Sequence, residues 1–332
     1  NYQRVIINSG KISNKGWEIS VSGVPVKVKN FEWKTIFNWS KNNSMVESLP
    51  EGIDKIQIGS GVYNVKSYAE VGKPYGAIYA KTFKRDAEGY ILCQLDGSPK
   101  EGQDYEYLGC VQADWRGGWN NVFRLGNFSF SVMFDFQKGG KFFSQTSIQS
   151  SVDGQSVKSL EGRDADFFSR KILGESDEER YGFMRPQNAN TPTANGQIYP
   201  DWGRPKGVVL PNCRYDEDVE GLAGQQVLGY CTPERYWMHY TSRDISRFIY
   251  DASYVKLREI TVSYDLPKKW LRKTPFQTFR VAAVGRNIAT LFANTPHGLD
   301  PQATSTTGNA QGFERGFNLP SATYGFDIKV SF

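Results

Sequence analysis

The sequence predicts an all-β protein in which about seven antiparallel strands belong to a large transmembrane β-barrel with long loops. Three observations support this fold class. Several segments alternate between apolar and polar residues, no segment is apolar enough for a membrane helix, and short connections alternate with long ones. Together these features favour strands that cross a membrane, because the per-strand signal of a barrel is weak and lies in the alternation.

The clearest strand is predicted at residues 128–137, inside the segment 119–136. Side chains alternate across a strand, so this run separates a nearly aromatic face from a small and polar face over the roughly 9–11 residues that a tilted membrane strand needs. The predicted lipid-facing residues are Phe128, Phe130, Val132, Phe134 and Phe136. The predicted lumen-facing residues are Ser129, Ser131, Met133, Asp135 and Gln137. A soluble β-sandwich is the alternative, although its strands seldom carry five such positions in succession.

Composition is compatible with this fold and excludes other classes. The chain has 332 residues, 39% of them hydrophobic and 14% aromatic, and a net charge of +5. No run of 18 apolar residues is present, which excludes a transmembrane helix but not a barrel. The small, scattered charge gives no indication of nucleic-acid binding. The first residues lack the pattern of a signal peptide, so an exported protein would be represented by a mature piece or a fragment.

Two hairpins are predicted in the first half of the chain. Trp17, Ile19 and Val21 begin an alternating strand that continues to a turn at Lys29-Asn30, although Pro25 would weaken a central strand. The returning strand carries aromatic residues on one face between Phe31 and Trp39. Residues 119–125 form a weaker alternating strand, and Leu125-Gly126-Asn127 supplies the turn before the aromatic strand.

Three further strands are predicted in the last third of the chain. Ser253–Tyr264 alternates, except that charged residues at 256, 258 and 259 break its phase and indicate either a bulge or a strand end outside the bilayer. The next strand contains Phe279 and Val281. The last strand is predicted to point Tyr324, Phe326, Ile328 and Val330 at lipid. It ends on Phe332, the terminal-aromatic pattern of bacterial outer-membrane barrels, in which the last strand is the assembly signal.

The connections have an asymmetric pattern of lengths. The turns at 29–30, 125–127 and 266–275 are short, whereas loops of about 48–112, 144–252 and 293–320 are long. Short periplasmic turns and long extracellular loops are typical of outer-membrane barrels. The aromatic content of residues 49–111 predicts an ordered loop domain with short strands of its own, and Arg163–Ile172 is predicted to form a short helix.

Several segments resemble the C-terminal part of the SusC/RagA family of TonB-linked outer-membrane transporters from Bacteroidetes-type bacteria. The segments are NKGWEISVSGVPVKVKNFEWKTIFNWSKN, GKPYGAIY, DWRGGWNNVFRLGNFSFSVMFDFQKGGKFFSQT, IYDASYVKLREITVSYDLPKKWLRKTPFQ, VAAVGRNIATLF, NTPHGLDPQ and YGFDIKVSF. The resemblance covers nearly the whole chain and implies a 22-stranded, plugged barrel. Seven strands cannot close such a barrel, so the chain is expected to be a C-terminal segment that lacks the plug and the TonB box.

The same resemblance implies a function and a set of partners. It implies a multi-pass protein of the Gram-negative cell outer membrane that imports oligosaccharides or peptides with energy from TonB. The implied partners are a SusD-like surface lipoprotein acting as a lid, the rest of the barrel with its plug, TonB, outer-membrane lipid and the nutrient. The functional alternative is a secreted or surface β-sandwich, an adhesin-like carbohydrate-binding protein that uses its aromatic loops.

No constellation of residues indicates an enzyme, a cofactor site or a metal site. His239 and His297 lie in long loops with no catalytic arrangement around them. The acidic clusters at 164–166, 175–179 and 216–218 lack the ligand pattern of a calcium loop and are interpreted as solvated surface. GSG at 59–61 lacks the strand–loop–helix setting of a phosphate site. The spacings of the four cysteines exclude a CxxC zinc motif and leave free thiols or local disulfides, Cys93 with Cys110 and Cys213 with Cys231.

Aromatic residues cluster in the longest predicted loop. They are Tyr199, Trp202, Tyr236, Trp237, His239 and Tyr240. Their rings could contact the lid protein or stack on the substrate, and the lid is favoured because long outer loops reach beyond the barrel mouth. The alternative is that they pack the loop internally, since a long loop with little regular hydrogen bonding needs buried apolar area.

Overall fold

The chain is built around one antiparallel sheet of seven strands. The computed structural model describes residues 10–160, 208–231, 235–296, 298–303, 308, 311–316 and 321–332. The strands are β1 (Lys11–Val28), β2 (Phe31–Ser48), β3 (Lys55–Ser60), β4 (Lys66–Glu70), β5 (Ala77–Ala80), β6 (Ile91–Cys93), β7 (Glu106–Cys110), β8 (Trp115–Leu125), β9 (Phe128–Lys138), β10 (Lys141–Ser144), β11 (Val208–Tyr215), β12 (Gln226–Cys231), β13 (Ile249–Asp251), β14 (Tyr254–Asp265), β15 (Thr278–Ala293), β16 (Phe313–Glu314) and β17 (Thr323–Ser331). The large sheet has the order β1-β2-β8-β9-β14-β15-β17. Its strands are the seven that the alternation predicts.

The described helices are few and short. They are α1 (Gln145–Val152), α2 (Lys268–Leu271), 3-10 turns at Val157–Leu160 and Ile245–Phe248, and a π-helical turn at Tyr236–Tyr240. None of them is long and apolar enough to cross a membrane. The predicted helix at Arg163–Ile172 lies outside the described residues.

The register of the large sheet places apolar side chains in line across all seven strands. Phe130 of β9 lies opposite Phe123 of β8 and Val262 of β14. Residues directly opposite each other point to the same side, so the aromatic positions of the separate strands form one surface, which we call the apolar face. The aromatic members of the apolar face are Trp17, Phe31, Trp33, Phe37, Trp39, Trp119, Phe123, Phe128, Phe130, Phe134, Phe136, Tyr264, Phe279, Tyr324 and Phe326.

The apolar face is open in the described part of the chain. Trp17 is 73% exposed and Phe326 is 91% exposed, and no second sheet packs across this surface among the described residues. The opposite side, which we call the polar face, carries small and charged side chains. For example, Ser131 of β9 is aligned with Thr261 of β14, and Ser129 with Ser263. The sheet is therefore apolar on one side only.

Two strands of the large sheet are irregular, β14 at its charged residues and β1 at its proline. The pairing of β14 shifts between Leu257 and Glu259 on both of its neighbours, which confirms the predicted bulge. The pairing of β1 with β2 shifts between Gly23 and Val26, around Pro25. The proline is accommodated because the pairing of β1 with β2 is bulged at that point. The tight turn between β8 and β9 uses Gly126 at a φ of 57°, where a side chain would be strained.

The connections of the large sheet alternate in length as predicted. Residues 29–30, 126–127 and 266–277 connect neighbouring strands at one end, whereas residues 49–114, 139–253 and 294–322 connect them at the other. The long connections contain three small sheets, β3-β4-β5-β7, β12-β11-β6 and β13-β10-β16. The four-stranded sheet confirms the ordered loop domain expected within residues 49–111.

Of the two states left open for the cysteines, the structure has the free thiols, because the fold separates the partners of the two local pairs. All four cysteines are free thiols. Cys93 lies in β6 and Cys110 lies in β7 of a different sheet. Cys213 and Cys231 lie on paired strands, but their register places them opposite Val227 and Val208. Cys93 instead forms a hydrogen bond with Cys213, and burial raises the pKa of Cys231 to about 12, which keeps that thiol protonated and unreactive.

Candidate functional site: the polar face and the cavity at its long-loop end

A cluster of charged and amide side chains lies on the polar face at the end where the long connections begin. Asp135 comes from β9, and Tyr254, Lys256 and Arg258 come from β14. The bulge after Leu257 adds one residue to β14, which breaks the strict alternation and brings the Arg258 side chain onto the polar face beside Asp135. The remaining members, Asp300 and Gln302, belong to the segment that follows β15.

A buried lysine connects β14 to this following segment. The Lys256 Nζ donates hydrogen bonds to Asp300 Oδ1 at 2.6 Å and to Gln302 Oε1 at 2.9 Å. Its side chain is only 6% exposed, and a charge so buried requires a partner of opposite charge. The pair therefore fixes the position of residues 300–302 against the polar face.

The remaining hydrogen bonds close a network around Gln302. Arg258 Nη2 donates to Gln302 Oε1 at 2.7 Å, and Gln302 Nε2 donates to the Tyr254 hydroxyl at 2.5 Å. The Tyr254 hydroxyl donates to Asp135 Oδ2 at 3.2 Å, and Asp135 also pairs with the Arg258 guanidinium. Each residue of this network forms hydrogen bonds or ion pairs with at least two others. The network therefore makes a rigid corner between β9, β14 and residues 300–302.

This corner borders a cavity of about 420 Å³. Its polar lining includes Arg116, Asp135, Gln137, Lys141, Tyr254 and Gln302. A second, more open cavity of about 520 Å³ lies beside it over β1, β2 and β8. Arg116 and Asp135 line both cavities, so the two adjoin along the polar face. We call the first the inner cavity, the second the outer cavity, and the two together the recess. Volumes of this size suit a small ligand or a segment of a longer one.

The structure corrects the proposed contact role of three loop aromatics. Tyr236, Trp237 and Tyr240 are at most 2% exposed and belong to a hydrophobic core with Phe83 and Val208. They cannot meet a lid or a substrate from this position, and they pack the loop internally, as the alternative interpretation held. His239 is exposed on the same π-helical turn. Tyr199, Trp202 and His297 lie outside the described residues.

Of the acidic clusters, only residues 216–218 lie in the described part of the chain, and Asp216 is not solvated surface. The Asp216 carboxylate is buried and accepts hydrogen bonds from Lys84 Nζ at 3.0 Å and Lys100 Nζ at 2.7 Å. Burial disfavours its charged form, but the hydrogen bonds from Lys100 and Lys84 outweigh that cost and lower the pKa of Asp216 to about 2. The group is a structural ion pair that links β11 to the region around β6.

Sequence reasoning found the faces of the strands but missed the polar network. Phe128, Phe130, Val132, Phe134 and Phe136 lie on the apolar face, while Ser129, Ser131, Asp135 and Gln137 lie on the opposite one. The partners of Asp135 were not identified from the sequence. The break in the alternation at residues 256–259 was the one sequence feature that indicated the network. Charged residues that interrupt an alternating strand need partners of opposite charge on the face of the sheet where they lie.

The chain is similar in sequence to receptors of one kind. No protein-family model matches it. It is 24% identical over 341 residues to TonB-dependent receptor P3 of Formosa agariphila, covering 96% of this chain and 28% of that receptor. It is 21% identical over 191 residues to TonB-dependent receptor P39 of the same organism, covering 43% of this chain and 18% of the receptor. The chain thus spans less than a third of the length of these relatives.

Solved structures match the fold over the same extent. The RagAB peptide transporter superposes with a TM-score of 0.55 at 15% identity, over 97% of this chain and 30% of the matched chain. The RagAB peptide importer in its closed-closed state superposes with a TM-score of 0.54 at the same identity. The chain therefore resembles TonB-dependent receptors over nearly its whole length and has the fold of the corresponding part of the RagAB transporter, which confirms the resemblance that its motifs indicate.

Proposed function

We propose that this chain forms part of the barrel wall of a TonB-dependent outer-membrane importer that takes up oligosaccharides or peptides together with a SusD-like lipoprotein. One observation carries the proposal: a single, mainly apolar face extends across all seven strands and is open, while the other face is polar and bears a recess. A surface of exposed aromatics this wide is stable only against an apolar medium, which a bilayer provides.

The secreted β-sandwich is less well supported. In a sandwich a second sheet covers the apolar face of the first, with the two sheets about 10 Å apart. In the described part of the chain the small sheets lie in the long connections at one end, and the apolar face remains open. We therefore assign this face to outer-membrane lipid and the polar face to the lumen.

The open edges of the sheet support a larger barrel. β1 and β17 each pair on one side only in the described residues, and β1 is 18 residues long. A long unpaired edge with exposed apolar side chains promotes aggregation, so a stable protein pairs it with further strands. We propose that the remaining strands, the plug and the TonB box belong to the rest of the same protein, in keeping with the greater length of its relatives.

The loops at the long-connection end are the proposed extracellular side, where the lid lipoprotein would dock. The matched structures are of RagAB, a transporter of peptides, and the receptors in Formosa agariphila are TonB-dependent. His239, Tyr199 and Trp202 remain proposed contacts for the lid or the substrate. The buried Tyr236, Trp237 and Tyr240 are no longer proposed for that role.

The proposed function is tested by uptake through the complete transporter in its own bacterium. Deleting TonB, or the gene of this transporter, should abolish growth on the same oligosaccharide or peptide mixture, and the protein should fractionate with the outer membrane and need detergent for extraction. A protein that is recovered in soluble form without detergent would support the secreted binding protein instead.

Phe332 is the proposed C-terminal assembly signal. Its ring is 77% exposed and lies 5.3 Å, centroid to centroid, from Phe276 at the proposed periplasmic end. Deleting Phe332 from the complete transporter should strongly reduce the amount in the outer membrane, because the last strand is the segment that the insertion machinery binds. Deleting the exposed Trp270 side chain by Trp270→Ala is the control. Equal outer-membrane levels for the two variants would contradict the assignment of Phe332.

A further inference from the structure

We propose that Arg116 binds a carboxylate group of the transported oligomer, in a groove that crosses the polar face from β1 to β14. This inference rests on the proposed function and adds the chemistry of the substrate, which the oligosaccharide-or-peptide assignment leaves open. The residues that carry it are Arg116, Asp135, Gly118 and the cations and carboxylates around them.

The charged side chains that line the recess are not all paired with a group of opposite charge. Three charged side chains line the inner cavity: Arg116, Asp135 and Lys141. The Asp135 carboxylate is paired with Arg258, and Lys141 Nζ lies 3.5 Å from Asp251 Oδ2. Lys256, just behind the lining, is paired with Asp300. Within the described residues, Arg116 is therefore the lining cation that has no carboxylate in contact.

The Arg116 guanidinium is held in one orientation by a hydrogen bond. Its Nε donates to Gln137 Oε1 at 3.0 Å, which orients the group along the strand next to β8. Its two Nη atoms have no hydrogen-bond acceptor among the described residues, and the side chain is exposed in the recess. A guanidinium that is oriented but not neutralised presents a planar pair of donors, which matches the two oxygens of a carboxylate.

The recess has the shape of a groove that crosses several strands. It extends over β1, β2, β8, β9 and β14, and four steps between neighbouring strands span about 19 Å. An extended peptide of about six residues covers that distance. Gly118 leaves room in its centre, because a Cβ built there would have no atom closer than 3.8 Å. The groove is thus long enough for an oligomer and open where the oligomer would pass Arg116.

Two other groups could neutralise Arg116. Glu18 lines the outer cavity on the same face, but it lies on β1, two strands and about 10 Å of backbone away from β8, and it forms no ion pair with Arg116. A carboxylate of the barrel's own plug is the second possibility. The position of the groove favours a carboxylate of the substrate over one of the plug. Residues 301–302 and 311–312 of a long connection border the inner cavity, which places it at the proposed extracellular mouth of the barrel.

The experiment uses the complete transporter with its lipoprotein, purified in detergent, and two pairs of fluorescent probes. One pair is tetra-alanine with a free C-terminal carboxylate and its C-terminal amide. The other is tetragalacturonate and its methyl ester. For one of the pairs, wild-type protein should bind the carboxylate form at least tenfold more tightly than the neutral form. Arg116→Gln should remove that preference by lowering affinity for the carboxylate form alone, and Arg116→Lys should retain part of it. The pair that shows the preference identifies a peptide or an acidic glycan as the source of the carboxylate.

A matched pair of glycine variants tests the groove. Gly118→Leu should fill the groove and weaken the binding of both probes of the preferred pair by tenfold or more. Gly325 lies on the same face in β17, and a Cβ built there has no atom within 4 Å, so Gly325→Leu should leave probe binding unchanged. Outer-membrane levels of each variant show that it has assembled.

Two results would overturn the inference. The first is that wild-type protein shows no preference for the carboxylate form in either pair of probes. The second is that the preference survives Arg116→Gln, and increased pore conductance of that variant would then show that Arg116 pairs with the plug instead. The Arg116→Gln transporter is also tested for TonB-dependent uptake of a neutral oligomer. If that uptake continues while the carboxylate inference is overturned, the inference fails and the proposed function stands.

Discussion

Phe130→Arg in the complete transporter is expected to reduce the folded protein in the outer membrane to a small fraction of the wild-type level. Phe130 is the third residue of β9 and lies on the apolar face, where its ring stacks 6.1 Å from that of Phe123. A charged residue on the lipid-facing side of a barrel costs about 2–4 kcal/mol at the bilayer midplane and less toward the interfaces. The loss of the aromatic stack adds about 0.5–1.5 kcal/mol. The measurement is heat-modifiable mobility of the outer-membrane fraction, which separates folded from unfolded barrels.

The neighbouring residue provides the control for this variant. Ser131 is next on the same strand but points to the polar face, in line with Val122 and Thr261. Ser131→Arg should therefore assemble at a level near wild type, because its guanidinium would lie on the polar face, which we propose lines the aqueous lumen. If Ser131→Arg were lost and Phe130→Arg were retained, the two faces of the sheet would have to be exchanged.

Trp237→Ala is expected to open the long loop without affecting assembly of the barrel. The Trp237 ring is 2% exposed, and Tyr236 packs against it edge to face at 5.1 Å. Truncating a buried tryptophan typically costs about 3–5 kcal/mol, a large part of the stability of a small loop core. Limited proteolysis of whole cells should then cut residues 208–248 much faster than in the wild type, while the heat-modifiable barrel band is unchanged.

Met238→Ala is the control for the loop variant. Met238 is the next residue on the same turn and is 52% exposed, so its truncation should change the cleavage rate little. A Trp237→Ala protein that resists proteolysis like the wild type but fails to retain the lipoprotein would contradict the burial and restore a contact role for this residue.

The strands could be predicted because a sheet with one apolar and one polar face imposes a simple rule on the sequence. At Phe128–Gln137 every second side chain meets one medium, so the period of two survives in the sequence without interruption. The loop packing could not be predicted in this way. Tyr236, Trp237 and Tyr240 are aromatic in either interpretation, and their burial depends on β6, β11 and β12 assembling around them from distant parts of the chain.

The polar corner and the cysteines illustrate the same limit. Lys256 and Asp300 are 44 residues apart in the sequence. They form an ion pair because the fold brings both side chains beside Gln302. Cys93 and Cys110 are close in sequence, yet they enter different sheets, and Cys93 meets Cys213 instead. Proximity along the chain is a poor guide where long connections fold into several small sheets.

The most direct test of the central claim, that one face of this sheet meets lipid, is a spin-label scan of residues 128–137 in the complete transporter reconstituted into bilayers. Labels at 128, 130, 132, 134 and 136 should collide with oxygen, which concentrates in lipid, and labels at 129, 131, 133, 135 and 137 should not. The expected profile therefore alternates with a period of two and is highest at 130–134, the middle of β9. A flat profile, or one in which the odd-numbered positions meet oxygen, would contradict the account.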